Sequence, residues 1–155
     1  MIKLKKILVP TDFSDFSKPA VEYACALAAR FESELHLVHV IDDPVVHVHD
    51  PTMISMGALY DKQEERHEIA RTELQKLTDG WENGIEALCE TRQGATFVEI
   101  VRYAKDNDID LIVIGTHGRG GLMHVLIGSV AERVVRKAPC PVLTVRPEGH
   151  QFVMP

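Results

Sequence analysis

Between Gly115 and Ser129 the chain reads Gly115-Thr-His-Gly118-Arg-Gly-Gly-Leu-Met-His-Val-Leu-Ile-Gly128-Ser129, five glycines in fifteen residues. Glycine lets a backbone approach a ligand closely and reach positive φ, so successive N–H groups can converge on a phosphate. Ser129-Val-Ala-Glu132 has the spacing of a capping box. The helix it opens would add free N–H groups and the positive end of its dipole. Arg119 supplies the one full positive charge in the loop. Together these are the parts of an anion site built from main-chain amides.

Two common phosphate motifs do not fit. A Walker A loop needs Gly-Lys-Ser/Thr, and no lysine stands between Lys105 and Lys137. A dinucleotide fingerprint starting at Gly118 places Met123 at its last glycine. Ser129 has two readings, a helix cap or a hydroxyl turned to the ligand, and so does Asp12, a turn residue bonding its own backbone or a ligand contact. His117 has no Ser, Cys or carboxylate at a triad spacing, so it reads as a packing residue and not a general base. His47-Val-His49-Asp50 places two imidazoles on one side of an extended segment, a metal-ligand pattern that reads here as a polar loop.

The elements that must hold this loop follow from periodicity. Ile7, Leu8 and Val9 before Pro10, the run 34–41 (ELHLVHVI), LIVI at 111–114 and 142–145 before Pro147 are strand-like, with a weaker candidate at 85–91. Helices are predicted after Ser17 as N-cap, with Val21, Ala24, Cys25, Ala28 and Phe31 inward, and over 59–78, ending near Gly80. Two more open at the capping boxes Thr96–Glu99 and Ser129–Glu132. Residues 62–71 read as a charged helix face, and 42–58 as a long connection. Strands alternating with helices predict right-handed βαβ units in a single α/β domain, a doubly wound, Rossmann-like parallel sheet of about five strands. Ligands bind such sheets beyond the carboxyl ends of the strands, which points to the loops after Val9 and Ile114.

Composition narrows the partners. Seventeen Lys and Arg against 23 Asp and Glu give a net charge of −6 with no basic run, which argues against nucleic acid. Met1 to Lys6 lead directly into a strand pattern, no stretch is apolar enough to span a membrane, and three scattered cysteines fit a reducing compartment. The expectation is a cytoplasmic protein with no membrane partner, its Cys25, Cys89 and Cys140 buried and inert.

The loop resembles the Gly-x2-Gly-x9-Gly-Ser/Thr motif of ATP-binding members of the universal stress protein family. Gly115, Gly118, Gly128 and Ser129 meet it at every fixed position. The likeness extends over 131–147, over Ile7-Leu-Val-Pro-Thr-Asp-Phe-Ser14 and over Leu37-Val-His-Val-Ile-Asp42, leaving 43–58 and the tail after Pro147 as the divergent parts. The resemblance implies a sheet ordered 3-2-1-4-5, one nucleotide-binding domain over 1–147 and a C-terminal tail over 148–155. It implies that Asp12 accepts a hydrogen bond from the adenine or ribose side, beside Pro10 and Thr11. Val40 would offer backbone groups to the adenine edge. Gly115, His117, Gly118 and Arg119 would surround the ribose and inner phosphates, and Gly128, Ser129 and Val130 the outer ones. Mg2+ or Mn2+ would be held mainly through the phosphates. The implied function is ATP binding in a stress-response or signalling module, read by an unidentified partner, with little or no hydrolysis. The expected homodimer pairs the edge strand at 141–146, between Pro141 and Arg146, with its own copy. Two alternatives stand beside this: a slow nucleotide hydrolase or phosphoryl or adenylyl transferase using Arg119 and His117, and a nucleotide-free dimeric scaffold.

Overall fold

The computed structural model describes residues 3–42, 56–79, 81, 85–118 and 127–147. Five strands, β1 (Lys6–Pro10), β2 (Glu34–Ile41), β3 (Ala87–Gln93), β4 (Leu111–Gly115) and β5 (Val142–Val145), alternate with helices α1 (Lys18–Phe31), α2 (Met56–Thr78), α3 (Thr96–Asp106) and α4 (Ser129–Lys137). All pairings are parallel and the order is β3-β2-β1-β4-β5, as the resemblance implied. Arg119, His47, His49, Gly80 and the tail 148–155 lie outside the described residues.

The sheet separates two apolar layers because strand side chains alternate in direction. Ile7, Val9, Leu35 and Leu37 face α1 and Leu74 of α2, with Ala20, Val21, Ala24 and Ala28 as the inward stripe of α1. Leu8, Val38, Val40, Ile112 and Ile114 face Ile100, Tyr103 and Ala104 of α3 and Ala131 and Val134 of α4. Cys25, Cys89 and Cys140 are free and half-buried, and burial pushes all three thiols upward, Cys25 to about 11. At neutral pH they are protonated, in line with the inert reading.

Several boundaries move from their predicted places. The weak third strand is displaced by two residues, and α2 begins three residues early, at Met56. Ser17 does occupy the N-cap position of α1, yet its side chain does not cap. Its hydroxyl donates to the Ser14 carbonyl and meets Thr11 Oγ1 at 2.9 Å. Neither predicted capping box forms. The N-caps are Ala95 and Gly128, each with extended ψ, so Thr96 and Ser129 are the first helical residues. Thr96 donates its hydroxyl to Asp42, Glu99 pairs with Arg102, and Glu132 pairs with Arg136 at 2.9 Å.

One core residue makes stability sensitive to acid. His36 of β2 is 2% exposed, with Nδ1 2.8 Å from the Tyr103 hydroxyl and Nε2 3.2 Å from Glu34 Oε1, unaligned for a hydrogen bond. Desolvation by burial holds its pKa below the ordinary 6.5, with Lys6 adding to that effect and Glu34 and Glu90 opposing it. A lowered native pKa means the unfolded chain takes the proton first. The contribution of neutral His36 is therefore complete above about pH 6.5 and declines as pH falls through the native value. Urea unfolding of His36→Leu beside the parent chain is expected to show a shallower loss of stability between about pH 6.5 and 5 in the variant. Parallel acid limbs would contradict this assignment.

Candidate functional site

Proline at the end of β1 opens the sheet. Pro10 has no N–H to donate, and the β1–β4 register stops at Leu8↔Ile112 while β1–β2 runs on to Pro10↔Val38. The chain then leaves the sheet through a turn. Asp12 Oδ1 accepts the Ser14 N–H at 3.0 Å and the Ser14 hydroxyl at 2.5 Å, so the turn reading of Asp12 is realised, and Phe13 sits at φ 64°. Thr11 N–H still reaches the Val38 carbonyl at 2.9 Å. The next rung of that ladder would join Val40 N–H to the Thr11 carbonyl. Among the described residues it is not made, and that carbonyl accepts from His39 Nδ1 at 2.8 Å, with the His39 ring 4.4 Å from that of Phe13.

This has a direct consequence for Val40. Alternate residues of a parallel strand turn both backbone groups to the same side. In β2, Val38 points to β1 and Ile41 to β3, where its carbonyl accepts from Gly94. Val40 therefore turns its N–H and C=O toward the gap that β1 vacates, and among the described residues neither group has a partner there. A donor and an acceptor stand side by side at the switch point.

Across the gap, Thr116 N–H bonds the Val145 carbonyl at 2.9 Å and Gly128 N–H bonds the Thr116 carbonyl at 2.6 Å, which pins the entry to α4. No side chain caps that helix, so the N–H groups of Ser129, Val130 and Ala131 have no intrahelical acceptor. At two glycines a side chain would meet close neighbours. A Cβ at Gly118 would stand 2.7 Å from Asp12 Oδ2, and one at Gly128 would stand 3.0 Å from the Thr116 carbonyl oxygen. Thr116 Oγ1 lies 2.9 Å from His117 Nδ1, which orients the imidazole at the rim.

These parts enclose a cavity of about 650 Å³, within the range of small-molecule and cofactor sites. Pro10, Thr11, Asp12, Val40, Gly115, His117, Gly118, Gly128, Ser129 and Val130 all line it, so every predicted site residue among those described meets at one place. The floor is apolar, formed by Val40, Ile100, Ile114 and Ala131. Sequence reasoning missed the far wall, where Asp42, Arg66 and Thr96 complete the lining. Arg66 was part of a charged helix face, a pattern that gives no sign of which charge bends over the sheet. Among the described residues, no cluster of His, Cys, Asp or Glu has the makings of a metal site, and no helix is long and apolar enough to cross a membrane.

Comparison with known proteins places this architecture. Residues 3–146 match the universal stress protein family. The chain is 38% identical to Universal stress protein MJ0531 of Methanocaldococcus jannaschii over 143 residues, covering 92% of this chain and 82% of that protein. Among solved structures, MJ0577 superposes with a TM-score of 0.76 at 29% identity, covering 96% of this chain and 99% of the other. A universal stress protein solved in complex with cAMP shares the fold at a TM-score of 0.64 and 23% identity, covering 93% of this chain and 98% of that one. By fold, by loop spacing and by a match that runs nearly end to end, this chain belongs to the universal stress protein family.

Proposed function

We propose that the switch-point cavity binds ATP and that the protein acts as a nucleotide-responsive module in stress response or signalling, with little or no hydrolysis. The observation that carries the reading is the pair of unspent backbone groups on Val40 across the gap from the uncapped start of α4. Adenine offers an N6 donor beside an N1 acceptor, the complement of a carbonyl beside an N–H. The apolar floor suits a purine face. The amides of Ser129, Val130 and Ala131, with the helix dipole, suit the outer phosphates, and Gly115, His117 and Gly118 the ribose and inner ones. Pro10, Thr11 and Asp12 form the wall beside the sugar, and Arg119 adds the loop's positive charge.

The parts present favour holding over turnover. A P-loop lysine is missing from the loop sequence, and His117 has its Nδ1 engaged by Thr116. Mg2+ or Mn2+ would ride on phosphate oxygens. Pairing of β5 with a second copy belongs to the same reading, since β5 is an edge strand and Leu143 on it is 38% exposed.

Calorimetry with Mg-ATP, together with mass spectrometry of the nucleotide that co-purifies with the chain, tests the proposal. Saturable one-site binding and an adenine nucleotide in the purified protein are expected. A flat titration from nucleotide-stripped protein would leave only the dimeric scaffold, and light scattering would then report whether even the dimer forms.

A further inference from the structure

Resting on the nucleotide reading, we infer that Arg66 is the residue that recognises the purine ring, by donating to a ring nitrogen that the Val40 edge leaves unused. The argument starts from strand geometry. Asp42 is the first residue past the end of β2, and if strand geometry continues there its carbonyl points to the same side as that of Val40, about 7 Å along the chain. That side is the gap in which Val40 presents its donor and acceptor. Arg66 Nη2 donates to the Asp42 carbonyl at 3.2 Å. The guanidinium therefore stands on the cavity side of the strand edge, one pleat repeat above the groups proposed to meet the base, and Arg66 lines the cavity together with Asp42 and Thr96.

The surrounding contacts hold it there. The Thr96 hydroxyl bonds Asp42 Oδ1, which ties the end of β2 to the first turn of α3. The bond to the Asp42 carbonyl uses one of the five N–H groups of the guanidinium, and its planar fork suits an in-plane acceptor. A purine whose Watson–Crick edge lies on Val40 presents N7 on one flank and N3 on the other. A pyrimidine has neither. Arg66 is also on the wrong side to serve phosphates. The phosphate cradle follows β4 and starts α4, and β4 is two strands away from β2, roughly 10 Å at the usual spacing. Arg66 is thus a specificity residue for the nucleoside half of the ligand.

The test separates the two halves. Titrating the parent chain and Arg66→Met with ATP, adenosine and CTP, the inference expects ATP and adenosine to weaken together by roughly tenfold in the variant, the loss of one charged-donor hydrogen bond, with the preference for ATP over CTP falling by the same factor. Because Arg66 is exposed, the variant is expected to melt as the parent does. A second arm needs no substitution: of 7-deazaadenosine and 3-deazaadenosine, one must bind the parent chain about tenfold more weakly than adenosine. A loss confined to ATP would assign the charge to the phosphates and overturn the inference, as would unchanged affinities or full retention of both analogues. If the parent binds neither ATP nor adenosine, the nucleotide reading itself fails. If it binds both and Arg66→Met changes nothing, only this inference does.

Discussion

Gly128→Glu is expected to abolish ATP binding while adenosine binding and the fold persist. Gly128 is the N-cap of α4, at φ −69° and ψ 155°, a conformation open to any residue, so the substitution carries no left-handed strain. Its Cβ would stand 3.0 Å from the Thr116 carbonyl oxygen, which asks that loop to yield by a few tenths of an ångström. The larger effect is electrostatic. A carboxylate about 4 Å from a phosphate at an effective dielectric near 20 costs about 4 kcal/mol, close to a thousandfold in affinity. Gly128→Ala adds the same Cβ without charge, and it is expected to lower the melting temperature slightly and keep ATP affinity within a few-fold. Calorimetry on the three proteins with ATP and adenosine resolves the terms. Retained ATP affinity in Gly128→Glu would place the phosphates elsewhere. The expected pattern is the reverse of that for Arg66→Met, where nucleoside and nucleotide weaken together, so the two variants report on opposite ends of one cavity.

How far the amino-acid order alone discloses this site depends on whether the signal is local. β2 and β5 were legible to the residue because ELHLVHVI alternates and then becomes apolar, and VLTV is a short β-rich run closed by Pro147. β3, with Glu90, Arg92 and Gln93 in an edge strand, carries a diluted pattern and was misplaced by two residues. The capping boxes failed for a tertiary reason. Thr96 has the right spacing to Glu99, yet its hydroxyl is drawn to Asp42 at the end of a distant strand, and the helix begins one residue earlier than the box requires. The glycine loop could be read as a candidate anion site because main-chain chemistry is written in residue type. The unspent groups of Val40 were accessible only through the resemblance, since they arise from Pro10, His39 and Thr11 meeting in space. Arg66 was invisible to both, because nothing in a run of alternating charges on α2 marks the one that crosses the strand edge.

The second large effect concerns the layer beneath the cavity. Leu8 lies on the central strand with no exposed surface, packed with Val38, Ile100, Ile112 and Val134, among the residues that support the floor. Leu8→Ala removes buried methyl groups from a site held by strands on both sides and helices above, where the surroundings cannot collapse inward. The expected loss is about 3 kcal/mol of folding stability, or about 10 °C in melting temperature for a chain of this size. Leu8 does not itself line the cavity, so affinity should be spared. Mg-ATP at about one hundred times its dissociation constant adds about 2.7 kcal/mol to any native state that binds it. Saturating nucleotide is therefore expected to return Leu8→Ala nearly to the stability of the ligand-free parent, with the same increment in both proteins. Urea unfolding with and without Mg-ATP gives all four values. An increment that vanishes in the variant would mean that the floor is not rigid and that Val40, Ile100 and Ile114 depend on Leu8 for their place. A loss below about 1 kcal/mol would mean that the central layer is looser than its complete burial implies.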